Sequence, residues 1–174
     1  MAKRHVAPLD GGRVRLRLLE EADLPMTLAW RNQAHIRKWF LHSEVITPEQ
    51  HHRWYEQYWD RDDDFVFVIE ETETLGRPIG QAALYHADWA HGRVEFGRLM
   101  IGDAEAIGLG LATLSTTRLL SLAFIEWGLR EVRLEVLSGN VAARAVYGRC
   151  GFEMTAEHDG VIDMVRRRDP VVIA

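Results

Sequence analysis

Hydrophobic and polar positions alternate along several short stretches of the chain, a pattern typical of strands with one buried face. Residues 13–19 place Val14, Leu16 and Leu18 between arginines and predict the first strand. Further strands are predicted at residues 64–70, 79–86, 93–101 and 131–137, and as a closing pair within 151–167 around an Asp159-Gly160 turn.

Helices are predicted where apolar residues recur every three or four positions. One covers about residues 24–32. Another begins at Thr47, where Pro48 occupies the first turn and Gln50 completes a capping box. A short helix follows Asn140, which we expect to cap it.

A long helix follows the glycines of residues 108–110, extends to about Trp127 and ends at Gly128. Its predicted buried face carries Leu111, Leu114, Leu122 and Ile125. The resulting order of elements is β-α-α-β-β-β-α-β-α-β-β, which combines hairpins with two crossover helices. This order predicts a single domain, residues 1–174, with a mixed sheet covered by helices on both faces.

Charge and composition exclude some classes of function. The 174 residues carry a net charge of -5, which opposes a general binder of nucleic acid or of anionic membranes, because both require a basic surface. The single Cys150 cannot form an internal disulfide, and no apolar leader or membrane-spanning run is visible. We therefore expect a cytoplasmic protein. The eight histidines show no metal-ligand spacing, so no metal is predicted.

Gly108 and Gly110 lie between a predicted strand and a predicted helix, where phosphate-binding loops occur. A P-loop would need Lys-Ser/Thr after the last glycine, and a dinucleotide fingerprint would need a third glycine. What remains is a loop whose free backbone N–H groups, from about Ile107 to Ala112, bind an anion such as a pyrophosphate. The alternative is an ordinary, tightly packed helix start.

The sequence LMIGDAEAIGLGLA, followed by NVAARAVYGRCGF, resembles the GNAT N-acetyltransferases. Their acetyl-CoA loop reads Q/R-x-x-G-x-G/A, and their second motif reads N-x-x-A-x-x-x-Y-x-x-x-G-F. The second motif matches at Asn140, Ala143, Tyr147, Gly151 and Phe152. The first motif matches at Gly108 and Gly110 but has Glu105 in place of Gln or Arg, so only the loop backbone is expected to contact phosphate.

The resemblance implies an α+β fold of three layers, α/β/α, with a mixed, mostly antiparallel sheet. It also implies acetyl-CoA as the cofactor and direct attack of a primary amine on its thioester. Tyr147 is then the expected proton donor to the departing thiolate. The implied cofactor-binding residues are Leu99, Met100, Ile101, Ile107, Gly108, Leu109, Gly110, Leu111, Ala112 and Asn140.

The general base is less clearly indicated. Glu95 shares a strand face with Gly97 and Leu99 by period-two counting, so burial could raise its pKa and make it a base. Equally, it could pair with an arginine such as Arg98. The loop YHADWAHG offers further candidates, His86, Asp88 and His91.

The acceptor is expected to bind the first two helices and the loop between them, which hold four of the six tryptophans: Trp30, Trp39, Trp54 and Trp59. These rings either form core or provide a stacking wall for a sugar or nucleobase, with arginines that bind phosphates. The predicted substrate-binding residues are Trp30, Arg31, Asn32, Arg37 and His86.

The segments WRN, IRKWF, EQHHRW and EFGRLMI are similar to the N-acetyltransferases that act on UDP-linked 4-amino sugars in pseudaminic acid synthesis. Acetylation of a nucleotide-linked amino sugar or another small molecule is therefore the first hypothesis. Ribosomal-protein N-termini, polyamines and aminoglycosides are alternative acceptors, and a non-catalytic acyl-CoA-binding module is an alternative function. We expect a small-molecule amine as partner, neither nucleic acid nor membrane, and a monomer or homodimer.

Overall fold

A computed structural model of the protein describes residues 3–169. Eight strands form one sheet. They are β1 (Leu9–Gly11), β2 (Val14–Leu18), β3 (Asp64–Glu71), β4 (Arg77–Asp88), β5 (Arg93–Ile101), β6 (Glu131–Leu137), β7 (Glu153–His158) and β8 (Val161–Arg167). The helices are α1 (Leu24–Asn32), α2 (Ala34–Arg37), α3 (Pro48–Trp59), α4 (Leu111–Ser121) and α5 (Val141–Arg149).

The strands lie in the order β1-β2-β3-β4-β5-β6-β8-β7, and every neighbouring pair is antiparallel except β5 and β6. The expected mixed, mostly antiparallel sheet is therefore confirmed. The predicted domain also includes residues 1–2 and 170–174, which lie outside the described residues. Within residues 3–169, none of the helices combines the length and apolar composition that crossing a bilayer requires.

Helices cover both faces of the sheet, as predicted. On β3, Phe65, Phe67 and Ile69 belong to the main core shared with α4 and α5, whereas Val66 and Val68 belong to a second core beneath α1 and α3. Because β3 is buried on both faces, its sequence is a continuous apolar run rather than an alternation.

The capping box at the start of α3 is also confirmed. The Thr47 hydroxyl accepts a hydrogen bond from the Gln50 N–H at 3.2 Å, and the Gln50 side chain accepts one from the Thr47 N–H at 2.8 Å. Two short elements, β1 and α2, were not predicted, because three or four residues carry too little periodicity to be recognised.

The buried face predicted for the long helix is partly wrong. Leu111 and Leu122 are each 1% exposed, but Leu114 and Ile125 are 38% and 79% exposed. Residues 122–126 form a π-helical turn, which inserts an extra residue and rotates the following side chains. Phe124 therefore takes the buried position expected for Ile125.

The feature of the fold that creates a site is the divergence of β5 and β6. They pair only over Arg93–Glu95 and Glu131–Arg133, after which the two strands separate. At the same point the register between β4 and β5 shifts, and Arg98 adopts a positive φ of 51°. The last residues of β5 consequently present backbone groups that β6 does not bind.

Candidate active site

A cavity of about 990 Å³ lies where β5 and β6 diverge. One end, the donor end, is lined by the last residues of β5, the glycine loop, β6 and α5. The other end, the acceptor end, is lined by α1, α3 and residues 38–46, which we call the strap. Trp39 of the strap approaches Gly139 in the β6–α5 loop, so the strap spans the cavity.

The donor end contains most of the residues predicted to bind the cofactor. Those that line the cavity are Leu99, Met100, Ile101, Ile107, Gly108, Ala112 and Asn140. Leu109, Gly110 and Leu111 are not among the lining residues; Leu111 is buried in the core, whereas Gly110 is the N-cap of α4.

The glycine loop has the geometry that an anion cradle requires. Gly108 and Gly110 have φ angles of 80° and 77°, and a Cβ at either position would meet no atom within 4 Å. The backbone is therefore open to a bulky ligand, and the first N–H groups of α4 have no partner within the helix. These residues fit the diphosphate of coenzyme A.

Glu105, which departs from the family motif, is bound by an arginine. Arg77, at the start of β4, forms an ion pair with Glu105 and donates a 2.7 Å hydrogen bond to Asp103. The negative charge beside the phosphate loop is thus compensated from a neighbouring strand. Sequence spacing could not indicate this pair, because 28 residues separate its members.

Tyr147 on α5 lines the cavity at the divergence of the strands. It is 6% exposed, and its ring contacts Phe96 and Phe152 at centroid distances of 5.9 and 5.8 Å. Burial raises the pKa of the Tyr147 hydroxyl above its ordinary value, so the phenol retains its proton at neutral pH. Asn140 caps the helix by accepting a 3.2 Å hydrogen bond from the Ala143 N–H.

A second phenol, which the sequence analysis missed, stands beside the first. Tyr85 on β4 lines the cavity, and burial raises its pKa to about 12. A Cβ on Gly97 would lie 2.8 Å from the Tyr85 hydroxyl oxygen, so the glycine makes room for this ring. The strand pattern predicted where Tyr85 lies, but no motif indicated that it faces a cavity.

The bulge of β5 is held by a partly buried ion pair. Arg98 donates two hydrogen bonds, of 2.7 and 3.1 Å, to the Asp64 carboxylate, whose side chain is 1% exposed. The Arg98 guanidinium also lies 4.5 Å above the Tyr85 ring and 5.8 Å from the Trp54 ring. This arrangement fixes the cavity wall where donor and acceptor ends meet.

The candidate bases from the sequence lie outside the residues that line the cavity. Glu95 is 3.1 Å from His86 Nδ1, and Asp88 is 2.7 Å from His91 Nδ1. Glu95 therefore pairs with a histidine rather than with Arg98, the alternative partner considered. His86, also predicted to bind substrate, has its Nδ1 turned toward this carboxylate.

The residues predicted to bind the acceptor take different positions. Trp30 packs in a small core with Ile36 and Met100, and its ring occupies the space that a Cβ on Gly102 would need. Asn32 hydrogen bonds both the N–H and the carbonyl of Ile46, at 2.9 and 2.8 Å. Of the five residues, Arg31 alone lines the cavity; Trp39 and Trp54 also line it.

Arg31 and Arg37 both donate to the strap. Arg37 Nη1 binds the Ser43 carbonyl at 2.9 Å, and Arg31 Nη2 binds the His42 carbonyl. Arg31 is 8% exposed and lies 4.1 Å below the Phe40 ring. Both arginines, which we predicted to contact substrate, therefore also donate hydrogen bonds to the strap.

His51 on α3 is a further cavity residue that the sequence did not indicate. Its ring stacks on Trp54 at 5.3 Å, and its Nε2 lies 3.3 Å from the Thr27 hydroxyl oxygen. Burial lowers the pKa of His51, so its neutral form predominates at neutral pH. In the sequence it is one of two adjacent histidines, which only the fold distinguishes.

One group of residues whose side chains offer potential metal-ligand atoms occurs within residues 3–169. Strand pairing brings Glu135, His158 and Asp163 together, with one ligand atom from each lying within 4.8 Å of the others. His158 Nε2 is 3.2 Å from Asp163. Their spacing in the sequence gives no sign of this proximity.

Comparisons with known proteins agree with this geometry. The sequence model of the acetyltransferase (GNAT) domain family matches residues 13–153. The putative ribosomal N-acetyltransferase YdaF of Bacillus subtilis (strain 168) is 27% identical over 147 residues, which span 80% of this chain and 77% of that protein.

Solved structures show the same fold. Spermidine N-acetyltransferase from Vibrio cholerae, in complex with CoA and spermine, superposes with a TM-score of 0.79 at 23% identity, covering 89% of this chain and 95% of that one. RimL, a ribosomal L7/L12 alpha-N-protein acetyltransferase in complex with coenzyme A, superposes with a TM-score of 0.78 at 17% identity, covering 92% and 98%.

Proposed function

Because the chain belongs to the acetyltransferase (GNAT) domain family and is an acetyl-CoA-dependent N-acetyltransferase, we propose that it acetylates a primary amine in the cavity between β5 and β6, with Tyr147 as general acid. One observation carries this proposal. A protonated phenol lines the cavity where the two strands separate, between an anion-binding loop and an aromatic acceptor end.

The donor end binds acetyl-CoA, which supplies an activated acetyl thioester and a thiolate leaving group. Leu99, Met100 and Ile101 offer the unpaired edge of β5 to the pantetheine amides. The N–H groups of residues 107–112 and the α4 dipole hold the diphosphate without a basic side chain. Asn140 keeps the start of α5 in place, and with it Tyr147.

Tyr147 stabilises the leaving group. Its hydroxyl makes no hydrogen bond within the described part of the chain, so its proton is available to a ligand in the cavity. A hydrogen bond from the Tyr147 hydroxyl to the thioester sulfur strengthens as negative charge develops on the sulfur. The poorly hydrated surroundings increase this effect. A positioned acid of this kind typically contributes about 10²–10⁴-fold in rate.

His51 is our candidate for the group that accepts the amine proton, in place of Glu95. The Thr27 hydroxyl donates to the Asp23 carbonyl at 3.1 Å, so its oxygen accepts from His51 Nε2–H. This assignment leaves the lone pair on Nδ1. A neutral imidazole in the cavity wall can take one proton from an ammonium group before the amine attacks.

The aromatic walls support an acceptor with a ring. Trp39, Phe40 and Trp54 line the acceptor end. We keep a nucleotide-linked amino sugar as the first hypothesis, because stacking on such walls suits a sugar or base.

A protein N-terminus, in line with the names of YdaF and RimL, is the second candidate. A polyamine, the substrate named for the Vibrio protein, suits the site less, because Glu44 is the acceptor end's sole carboxylate in residues 3–169.

The test is release of free thiol from acetyl-CoA in the presence of amines. The panel contains a UDP-linked 4-amino sugar, a peptide with a free N-terminus, spermidine and an aminoglycoside. Transfer to at least one amine, with the acetylated product identified by mass spectrometry, is expected. Binding of CoA in calorimetry without thiol release for any amine would instead identify a non-catalytic acyl-CoA-binding module.

A further inference from the structure

Arg31 is a buried cation that no carboxylate of residues 3–169 binds directly. Its side chain lies in the wall of the acceptor end, and the residue is 8% exposed. Nη1 is enclosed and has no hydrogen-bond partner among residues 3–169. Arg31 also forms no salt bridge with any carboxylate in that part of the chain. An unpaired buried charge is unfavourable, so such a group calls for an anion.

Two partly buried arginines elsewhere in the described chain are paired. Arg98 is bound to Asp64, and Arg17 donates two hydrogen bonds to Asp23 and one to Glu70. These two guanidinium groups are less buried than Arg31, yet each has a carboxylate partner. Arg31 has none among residues 3–169, and it lines a cavity in which a ligand could supply the missing charge.

The environment of Arg31 prepares it for a planar anion. Phe40 stacks on the guanidinium at 4.1 Å, and the His42 carbonyl accepts from Nη2, so the plane of the group is fixed. A fixed guanidinium binds carboxylate or phosphate through two parallel N–H bonds. The charge of Glu44 in the strap acts on Arg31, but this carboxylate is exposed and forms no salt bridge with the guanidinium within the described chain.

We propose that Arg31 is an anion subsite of the acceptor pocket and that the enzyme selects primary amines carrying a carboxylate or phosphate group. This inference rests on the proposed function and narrows its substrate class. The anion binds the free N–H groups of Arg31, while Nη2 keeps its bond to the strap. Because Nη1 is enclosed, the ligand reaches it only after the side chains around it move. Polyamines, which carry only positive charge, are poor acceptors for such a site.

The experiment compares amines that differ only in the anion. One pair is 6-aminohexanoate and hexylamine, and the other is 2-aminoethyl phosphate and ethanolamine. Binding is followed without acetyl-CoA by tryptophan fluorescence, since Trp39 and Trp54 line the cavity, and turnover is followed by thiol release. We expect the anionic member of at least one pair to be favoured tenfold or more, as for a charge-assisted hydrogen bond. The pair that responds distinguishes a carboxylate from a phosphate ligand.

Variants assign the preference to Arg31. In Arg31→Met the preference should disappear, and in Arg31→Lys, which keeps the charge but loses the planar fork, it should be weaker than in the wild type. Arg53→Met is the matched control, because Arg53 is exposed on α3 and does not line the cavity. Its preference should equal that of the wild type.

The result that overturns the inference is equal binding and turnover of both members of each pair, or a preference that survives in Arg31→Met. Thiol release would then continue, and the proposed function would stand. If instead no amine released thiol, the proposed function would fail, while the fluorescence titrations would still decide whether Arg31 binds anions. Should Arg31→Met not fold, Arg31→Lys decides. A preference for the anionic amine equal to that of the wild type would contradict binding of the anion by the planar guanidinium group.

Discussion

Two adjacent histidines on α3 have opposite environments, and this difference gives a test at the level of single residues. His51 faces the cavity, with its Nε2 beside Thr27, whereas His52 is exposed and lies 3.7 Å from Glu56. The ionisable groups lining the same cavity come from α1 and α2 (Arg31, His35), the strap (His42, Glu44), the sheet (Tyr85, Arg98, Glu135) and α5 (Tyr147).

Replacement of His51 should remove a pH dependence that replacement of its neighbour leaves intact. Burial lowers the pKa of His51, so the neutral base is lost only as pH falls below the ordinary histidine value of about 6.5. The wild type and His52→Gln should therefore lose kcat/KM on the acid side with the same profile. His51→Gln should have a lower kcat/KM that no longer decreases further at acid pH. If kcat/KM of His51→Gln still decreased at acid pH as in the wild type, the titrating group would be another one.

At the residue scale, motif-bearing positions could be predicted and the rest could not. Tyr147 and Asn140 belong to one local stretch whose spacing reflects a single helix and its cap. Tyr85, His51 and Trp54 come from separate elements, and only folding brings them to one cavity. Trp30 and Trp54 are both tryptophans, yet Trp30 packs in a small core against Gly102, whereas Trp54 lines the cavity.

At the scale of elements, β4 supports the cofactor loop through Arg77. Removal of this arginine leaves Glu105 and Asp103 unpaired just before the phosphate-binding residues. We therefore expect Arg77→Gln to weaken CoA binding several-fold through repulsion of the diphosphate, and 0.5 M salt to reduce the difference. Calorimetry with CoA measures this effect.

The double variant identifies the cause. In Arg77→Gln combined with Glu105→Gln the excess negative charge is smaller, so most of the affinity should return. Arg118→Gln removes an arginine that pairs with Glu126 at the far end of α4 and should leave CoA affinity unchanged. Equal affinities for all four proteins would show that Glu105 does not act on the diphosphate.

Elements with regular patterns were predicted, and those shaped by tertiary packing were not. Alternation located β2 and β5 because one strand face is apolar along each of them. The π-helical turn at residues 122–126 breaks the 3.6-residue period, so a regular helix placed Ile125 on the wrong face. The separation of β5 from β6 also has no local signature, since it depends on which strand pairs with which.

At the scale of the whole molecule, the two ends of the cavity come from the two halves of the chain. The donor end uses residues 99–147, and the acceptor end uses mainly residues 27–54. The donor end could be predicted because the backbone amides and the phenol that we propose to act on acetyl-CoA belong to two short sequence motifs. The acceptor end relies on side chains from α1, the strap and α3, whose spacing follows no fixed pattern.

The central claim is that the cavity performs acetyl transfer with the Tyr147 phenol acting on the leaving group. The most direct test is steady-state thiol release by Tyr147→Phe, together with its dissociation constant for CoA. Tyr55→Phe serves as control, because Tyr55 belongs to the second core, away from the cavity lining. We predict a kcat reduced by about 10²–10⁴-fold in Tyr147→Phe with unchanged CoA affinity, and a wild-type kcat in the control. Full turnover by Tyr147→Phe would contradict the account.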